Sequence, residues 1–271
     1  MKTMITLVLA LAALAAVGGT ARGQGFQTDR TVEVTPGARL QLDSQFGKVT
    51  VRGWDRGAVR VQARHTADVG VEIDVRGSLV QIESNRPGKP VEYSLTVPVD
   101  MPLEIEVIHG EVDVAGVRSG MQIQSVNGAI MVRGGSGTID LGSVQGSITL
   151  EGADGDIHAE TVNGRIQLRG IESARVTAET VNGGVSYAGS IRSDGWYRFS
   201  THNGPIDLTI PPGAGAVFTA STFNGTLETA FPVTLREARE GKEFSFTLGS
   251  GGARIELESF NGTMSIRRSG P

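Results

Sequence analysis

One dipeptide, asparagine followed by glycine, returns along most of this chain at a near-constant interval. It stands at Asn127-Gly128, Asn163-Gly164, Asn182-Gly183, Asn203-Gly204, Asn224-Gly225 and Asn261-Gly262, and Gln145-Gly146, His109-Gly110 and Phe46-Gly47 hold the equivalent place. From Gly110 the intervals are 18, 18, 18, 19, 21, 21 and 37 residues. Self-similarity at such a period is the signature of stacked structural units. The residues around each glycine keep their phase as well. Five and seven positions before it the side chains are mostly apolar, as in Ile139 and Leu141, Ile157 and Ala159, Val176 and Ala178. Three before it stands a hydroxyl: Ser125, Ser143, Thr161, Thr180, Thr201, Thr222, Ser259. Two and four after it apolar residues resume, as in Ile148 and Leu150 or Ile166 and Leu168, and six after it a second glycine often closes the unit (Gly116, Gly134, Gly152, Gly170). Alternation with period two means short strands with one face buried.

Each unit therefore reads as strand, tight turn, strand, tight turn. Asn and Gly both tolerate positive φ, which suits them to the corner. The same pair also marks hairpins, so a meander competes with a parallel β-helix. A meander of this length needs more strands than an open twisted sheet usually holds, and strands near five residues are too short for an outer-membrane barrel. Recurrence of asparagine itself suits a ladder of amides bonded from coil to coil. The expectation is an all-β, single-stranded parallel β-helix (a β-solenoid), right-handed from general chain chirality, with coils of about 18–21 residues. Gly47, Gly110, Asn127, Gly128, Gly146, Asn163, Gly164, Asn182, Gly183, Asn203, Gly204, Asn224, Gly225, Asn261 and Gly262 are its structural turns.

The chain starts Met1-Lys2-Thr3 and runs into ITLVLALAALAAV before Gly19-Thr20-Ala21. That pattern predicts a secretory signal peptide over residues 1–23, with no membrane-spanning segment after its removal. With 0 cysteines, disulfides and thiolate metal sites are excluded. Net charge is −4 with both signs interspersed, which argues against nucleic acid. Aromatics make up only 5% while glycine numbers 38, which suits a thin aliphatic core with many turns. Residues 24–100 carry the same grammar less regularly and form an N-terminal irregular part of the solenoid, with an exposed loop at Asn85–Pro90. Residues 101–271 are the regular coils, broken by a longer excursion near 226–250 that reads as one extra coil with an outward loop.

VTPGARLQLDSQFGKVTVRGWDRGAVRVQA, VEYSLTVPVDMPLEIEVIHGEVDVAGV, the Asn-Gly coils and FTLGSGGARIELESFNGTMSIRR together resemble the bacterial adhesin-like β-strand-repeat family. Its members are exported proteins of unknown function, labelled autotransporter-adhesin-like. The most specific pieces are Gly53-Trp54-Asp55, the Tyr93 to Pro98 segment and the final GGARIEL with its Asn-Gly. The resemblance implies a right-handed single-stranded β-helix, export and no established catalytic residues.

Carbohydrate lyases and hydrolases also use β-helices, so catalytic constellations need weighing. The densest acidic spot is Asp154, Asp156 and Glu160, with His158 between them, and it reads as polar outer face because Thr138, Asp140, Thr177 and Glu179 share its phase. His65, His109, His158 and His202 show no metal-ligand spacing. The glycine-rich run from Gly134 to Asp140 departs from the calcium-binding nonapeptide and does not repeat. Trp54 and Trp196 lie near turns, with Trp54 packing over its corner, and Phe223 and Phe260 are expected to fill a wider core near the C-terminal end. The expected function is an exported, non-enzymatic solenoid, adhesin-like or structural in the envelope, periplasmic or at the cell surface. Its partner would be an envelope protein or a glycan, with no catalytic residue, cofactor or metal. A polysaccharide-active lyase or hydrolase is the alternative.

Overall fold

The computed structural model describes residues 28–232, 236–237 and 242–270. The expected signal peptide lies outside these residues, as does part of the excursion. Every regular element described is a β-strand, and together they form two large, mostly parallel sheets, one of 12 strands and one of 13. Each repeat unit gives one strand to each sheet. Met121–Asn127, Thr138–Gln145, Asp156–Asn163, Arg175–Asn182 and Trp196–Asn203 lie side by side and parallel in the larger sheet. Ile130–Gly134, Ile148–Glu151, Ile166–Ile171, Val185–Gly189 and Ile206–Ile210 do the same in the smaller one. Equivalent residues stack in register, Ile139 opposite Ile157 and Asn163 opposite Asn182. The inward columns anticipated from the alternation are buried, with Leu141, Ala159, Ile166 and Leu168 all at 0% exposure. Burial of one such aliphatic side chain contributes about 1.5–3 kcal/mol.

The corner glycines are required for a different reason than positive φ. No residue other than glycine has positive φ among those described, so the corner asparagines sit in ordinary backbone. In the Asn-Gly column only Gly47 and Gly204 have φ in the left-handed range; that conformation belongs instead to the closing column, at Gly116, Gly134, Gly152 and Gly170. At the corner the constraint is close approach. A Cβ on Gly128, Gly146, Gly164 or Gly183 would stand 1.8–2.1 Å from the carbonyl oxygen of the corner glycine one coil earlier. The backbones meet this closely because the ladder continues through the corner: Gly146 N–H donates to Asn163 O at 3.1 Å and Gly164 N–H to Asn182 O at 3.1 Å.

Two side-chain columns flank the glycines. The asparagine amides form a chain, Asn182 Nδ2 donating to Asn163 Oδ1 at 3.0 Å, Asn203 to Asn182 at 3.0 Å, Asn261 to Asn203 at 2.9 Å and Asn224 to Asn261 at 3.2 Å. The hydroxyls do not bond one another. Thr161, Thr180 and Thr201 each donate to the corner glycine carbonyl of the preceding coil, at 3.0, 3.1 and 2.9 Å.

The order of coils in space departs from the order in sequence at both ends. Strand Arg39–Phe46 packs directly against Leu103–His109, while Leu79–Ser84, later in the chain, lies outside it. At the other end the last coil, Ala253–Asn261 and Thr263–Arg268, lies between the coil of Trp196–Asn203 and that of Ala216–Thr222. The excursion is thus a return path rather than one more coil in sequence, and it carries Lys242–Leu248 antiparallel along the outer edge at Ala216–Thr222. Antiparallel strands also flank the opposite end, Thr28–Glu33 on Ala58–Arg64 in one sheet and Val71–Arg76 on Leu79–Ser84 in the other. Register could not be inferred across these exchanges because local patterning says which face is buried, not which coil lies next door.

Replacing Gly164 by Ala should cost about 1–3 kcal/mol through overpacking, and Gly164→Asn should be no better. Gly152 has φ +63° with open space around its Cβ position. There, Ala should cost about 1–2 kcal/mol, and Asn, which tolerates the left-handed region, should recover part of it. Chemical denaturation of the four variants measures this, and equal rescue by Asn at both positions would refute the close-approach account.

Candidate functional site

The strands of the larger sheet end with an outward residue two places before each corner glycine. The pairing steps over this residue, passing from Ser125 opposite Ser143 to Asn127 opposite Gln145. The side chains there are Gln45, Ile108, Val126, Val144, Val162, Val181, His202, Phe260 and Phe223, in their order along the stack. Seven of them are among the eleven exposed large hydrophobic residues of the described chain, with exposures of 41–45% except Phe223 at 66%. Scattered exposed apolar residues are normal, but one aligned on nearly every coil forms a stripe. At its C-terminal end the stripe turns aromatic: His202 stacks on Phe260 at 4.7 Å between ring centres, and Phe260 on Phe223 at 4.9 Å. Phe223 and Phe260 therefore do not widen the core; they sit on its outside. Alternation itself gives this outward phase, because each phenylalanine directly follows a buried hydroxyl, Thr222 or Ser259.

Beside the stripe, two places earlier on each strand, runs a polar column that includes Asp43, Glu106, Gln124, Glu160, Glu179 and Glu258. Between the two columns lies a groove of about 1160 Å³ that follows the stack from Glu83 and Pro87–Lys89 at one end to Phe223 and Glu243 at the other. The loop anticipated at residues 85–90 thus closes one end. Ten coils at about 4.8 Å give the groove a length near 40 Å.

The buried hydroxyls form its floor. Most donate to a corner carbonyl, but Ser125 Oγ and Thr222 Oγ1 are buried beneath the groove with no hydrogen-bond partner. Charge is unevenly distributed along it. Towards the C-terminal end Arg198 pairs with Glu179 at 3.2 Å and Glu258 at 3.3 Å. Towards the N-terminal end Asp43, Glu83 and Glu106 line it, and neither they nor nearby Glu104 have an ion-pair partner among the described residues, where Lys89 is the only lysine on the groove wall. Partial burial, followed by repulsion from Glu106, Glu83 and Glu104, pushes the Asp43 carboxyl above the usual carboxylate range. The smaller sheet's outer face is by contrast self-neutralised, Asp113 bridging Arg52 and Arg133 at 3.1 Å each.

The other sequence candidates fall apart as sites. Asp156 is paired with Arg175 of the next coil at 2.7 Å, and His158 lies 3.7 Å from Glu160. No cluster of His, Asp and Glu among the described residues could hold a metal ion. His109 stacks on Phe46 and bonds Asn127 at 3.2 Å, extending the amide ladder, while His65 bonds Thr28. Trp54 donates to Ala58 O at 2.7 Å and lies under Arg56. The turn residues Gly47, Gly110, Gly128, Gly146, Gly164, Gly183, Gly204, Gly225 and Gly262 line the corner column rather than any cleft.

The chain is similar to solved structures at low sequence identity. A putative adhesin from Parabacteroides distasonis ATCC 8503 has 10% identity and a TM-score of 0.44, covering 91% of this chain and 98% of its own. A putative adhesin from Parabacteroides merdae ATCC 43184 has 6% identity and a TM-score of 0.41, over 92% and 98%. A putative cell adhesion protein from Clostridium sporogenes ATCC 15579 has 12% identity and a TM-score of 0.25, over 89% and 99%. No family model and no curated protein matches the chain. No helix among the described residues is long and apolar enough to cross a membrane.

Two outcomes are expected from the site's geometry. Thr161→Val, which removes the bond to Gly146 O, should cost about 1 kcal/mol, whereas Ser125→Ala should be neutral or stabilising because its hydroxyl has no partner. Asp43→Asn should raise the melting temperature at neutral pH. A carboxyl whose folded pKa is raised loses stability as pH climbs from its unfolded value through the folded one. The gain should therefore vanish in acid, below the ordinary carboxylate range, when thermal melts are run across pH.

Proposed function

We propose that the mature chain is an exported, non-enzymatic interaction module of the cell envelope, adhesin-like in its use of a long binding surface. Within this reading residues 1–23 are a cleaved signal peptide, residues 24–100 the irregular lead-in, and residues 101–271 the regular coils of a right-handed, single-stranded parallel β-helix. The observation that carries the reading is the exposed apolar stripe, repeated on nearly every coil, beside a polar column rich in carboxylates. A monomer has no reason to hold such a surface in line unless something elongated covers it. Export is supported by the apolar N-terminal run and the lack of cysteine. The polysaccharide-active alternative is not favoured, since the acidic spot on which it rested is divided: Asp156 is paired with Arg175, Glu160 lines the groove and Asp154 lies away from it. The periplasm and the cell surface both fit.

The mature chain should bind purified envelope saturably, and a double Val144→Asp, Val162→Asp variant should lose at least about tenfold in affinity, as expected when a desolvated apolar contact is charged. Both sites are already exposed, so circular dichroism should show an unchanged fold. Cleavage of an envelope polysaccharide that disappears in Asp156→Ala or Glu160→Ala would overturn the proposal.

A further inference from the structure

The chemistry of the groove restricts what it can hold. Its walls are aliphatic on one side, at Ile108, Val126, Val144, Val162 and Val181, and polar on the other, with carboxylates at Asp43, Glu106, Glu160, Glu179 and Glu258 among Gln124 and serines. The aromatic rings that could offer faces to a sugar are stacked on one another at the end, Phe260 lying between His202 and Phe223. Carboxylates without ion-pair partners gather at the opposite end, around Asp43 and Glu106. A ligand that satisfies both walls must carry apolar groups on one edge and positive charge on the other, over a length near that of the groove.

Resting on the binding role proposed above, we propose that the groove receives an extended polypeptide in which apolar and basic side chains alternate. The apolar edge covers the valine stripe and the basic edge faces Asp43, Glu106 and Glu160. In an extended chain successive side chains point to opposite edges, which matches the two walls, and about twelve residues span roughly 40 Å. Like-facing residues recur every 6.6–6.8 Å or so along such a chain, whereas the coils recur every ~4.8 Å, so the two ladders share no short register. Recognition then follows composition and length rather than one fixed sequence. Electrostatic attraction makes it sensitive to salt.

Fluorescence anisotropy with three labelled peptides of equal length tests this: alternating Lys-Val, alternating Glu-Val and alternating Lys-Ser, with a glucosamine oligomer as the glycan arm. Lys-Val should bind at least about tenfold more tightly than the other two peptides and weaken when salt rises above physiological strength. Glu106→Lys with Glu160→Lys should lose about tenfold for Lys-Val, and so should Val144→Asp with Val162→Asp, while Gln167→Lys on the opposite sheet should change nothing. Equal binding of Lys-Val and Glu-Val, or binding indifferent to the groove variants, overturns the proposal. Glucosamine binding that is lost in the valine variant, without peptide binding, overturns the peptide ligand but leaves the groove as the site. If no probe binds and the valine variant still binds envelope normally, both readings fail.

Discussion

The close approach of backbone to backbone at one corner governs the rest of this molecule. Gly128, Gly146, Gly164 and Gly183 leave no space for a side chain because the previous coil's carbonyl occupies that place. With the corners touching, the hydrogen-bond ladder runs on through the turn and every column falls into register. The carbonyls so exposed to the interior would be costly if left unbonded. The buried threonines at 161, 180 and 201 supply the donors. Asparagine on the outer side then links its amide to the next coil's amide. Three residue types in the repeat thus answer one geometric condition.

A ladder of this kind has ends, and unpaired edges invite association with other chains. The fold covers three of its four sheet ends with antiparallel strands, at Thr28–Glu33, Val71–Arg76 and the pair Lys242–Leu248 with Arg236–Glu237. The fourth, Thr226–Thr229, is the outermost strand of its sheet among the described residues. Capping is achieved by departing from the repeat, which is why the least regular stretches of sequence lie at both ends of the stack.

Much of this was legible beforehand, and the limits have physical causes. The inward columns, the two strands per unit and the amide chain follow from phase and period, because stacking a repeat places like on like. The reason for glycine differs from the expected one: a dipeptide that tolerates positive φ looks the same in sequence as one forced by a carbonyl that an added Cβ would meet at 1.8–2.1 Å, and only that carbonyl's position separates them. Spatial order at the ends was invisible, since Ala253–Arg268 carries the same phases whichever coils it joins. The groove was missed for a related reason. Each of Val126, Val144, Val162 and Val181 is unremarkable alone, and alternation already placed them outside. The available signal was that a position with outward phase stayed apolar in nearly every unit.

The insertion of the last coil has a consequence for how the molecule is made. Between Leu103 and Ile210, neighbouring coils can be laid down one upon the next as the chain emerges. Strand Ala216–Thr222 cannot take its final neighbour in that way, because its parallel partner is Ala253–Asn261, some thirty residues further on. Until those residues arrive, the surface of Trp196–Asn203 stands open or is held by the wrong strand. Progressive zippering from Leu103 onward therefore has to pause near residue 210, and the stack closes only when its final segment is threaded between two coils already synthesised.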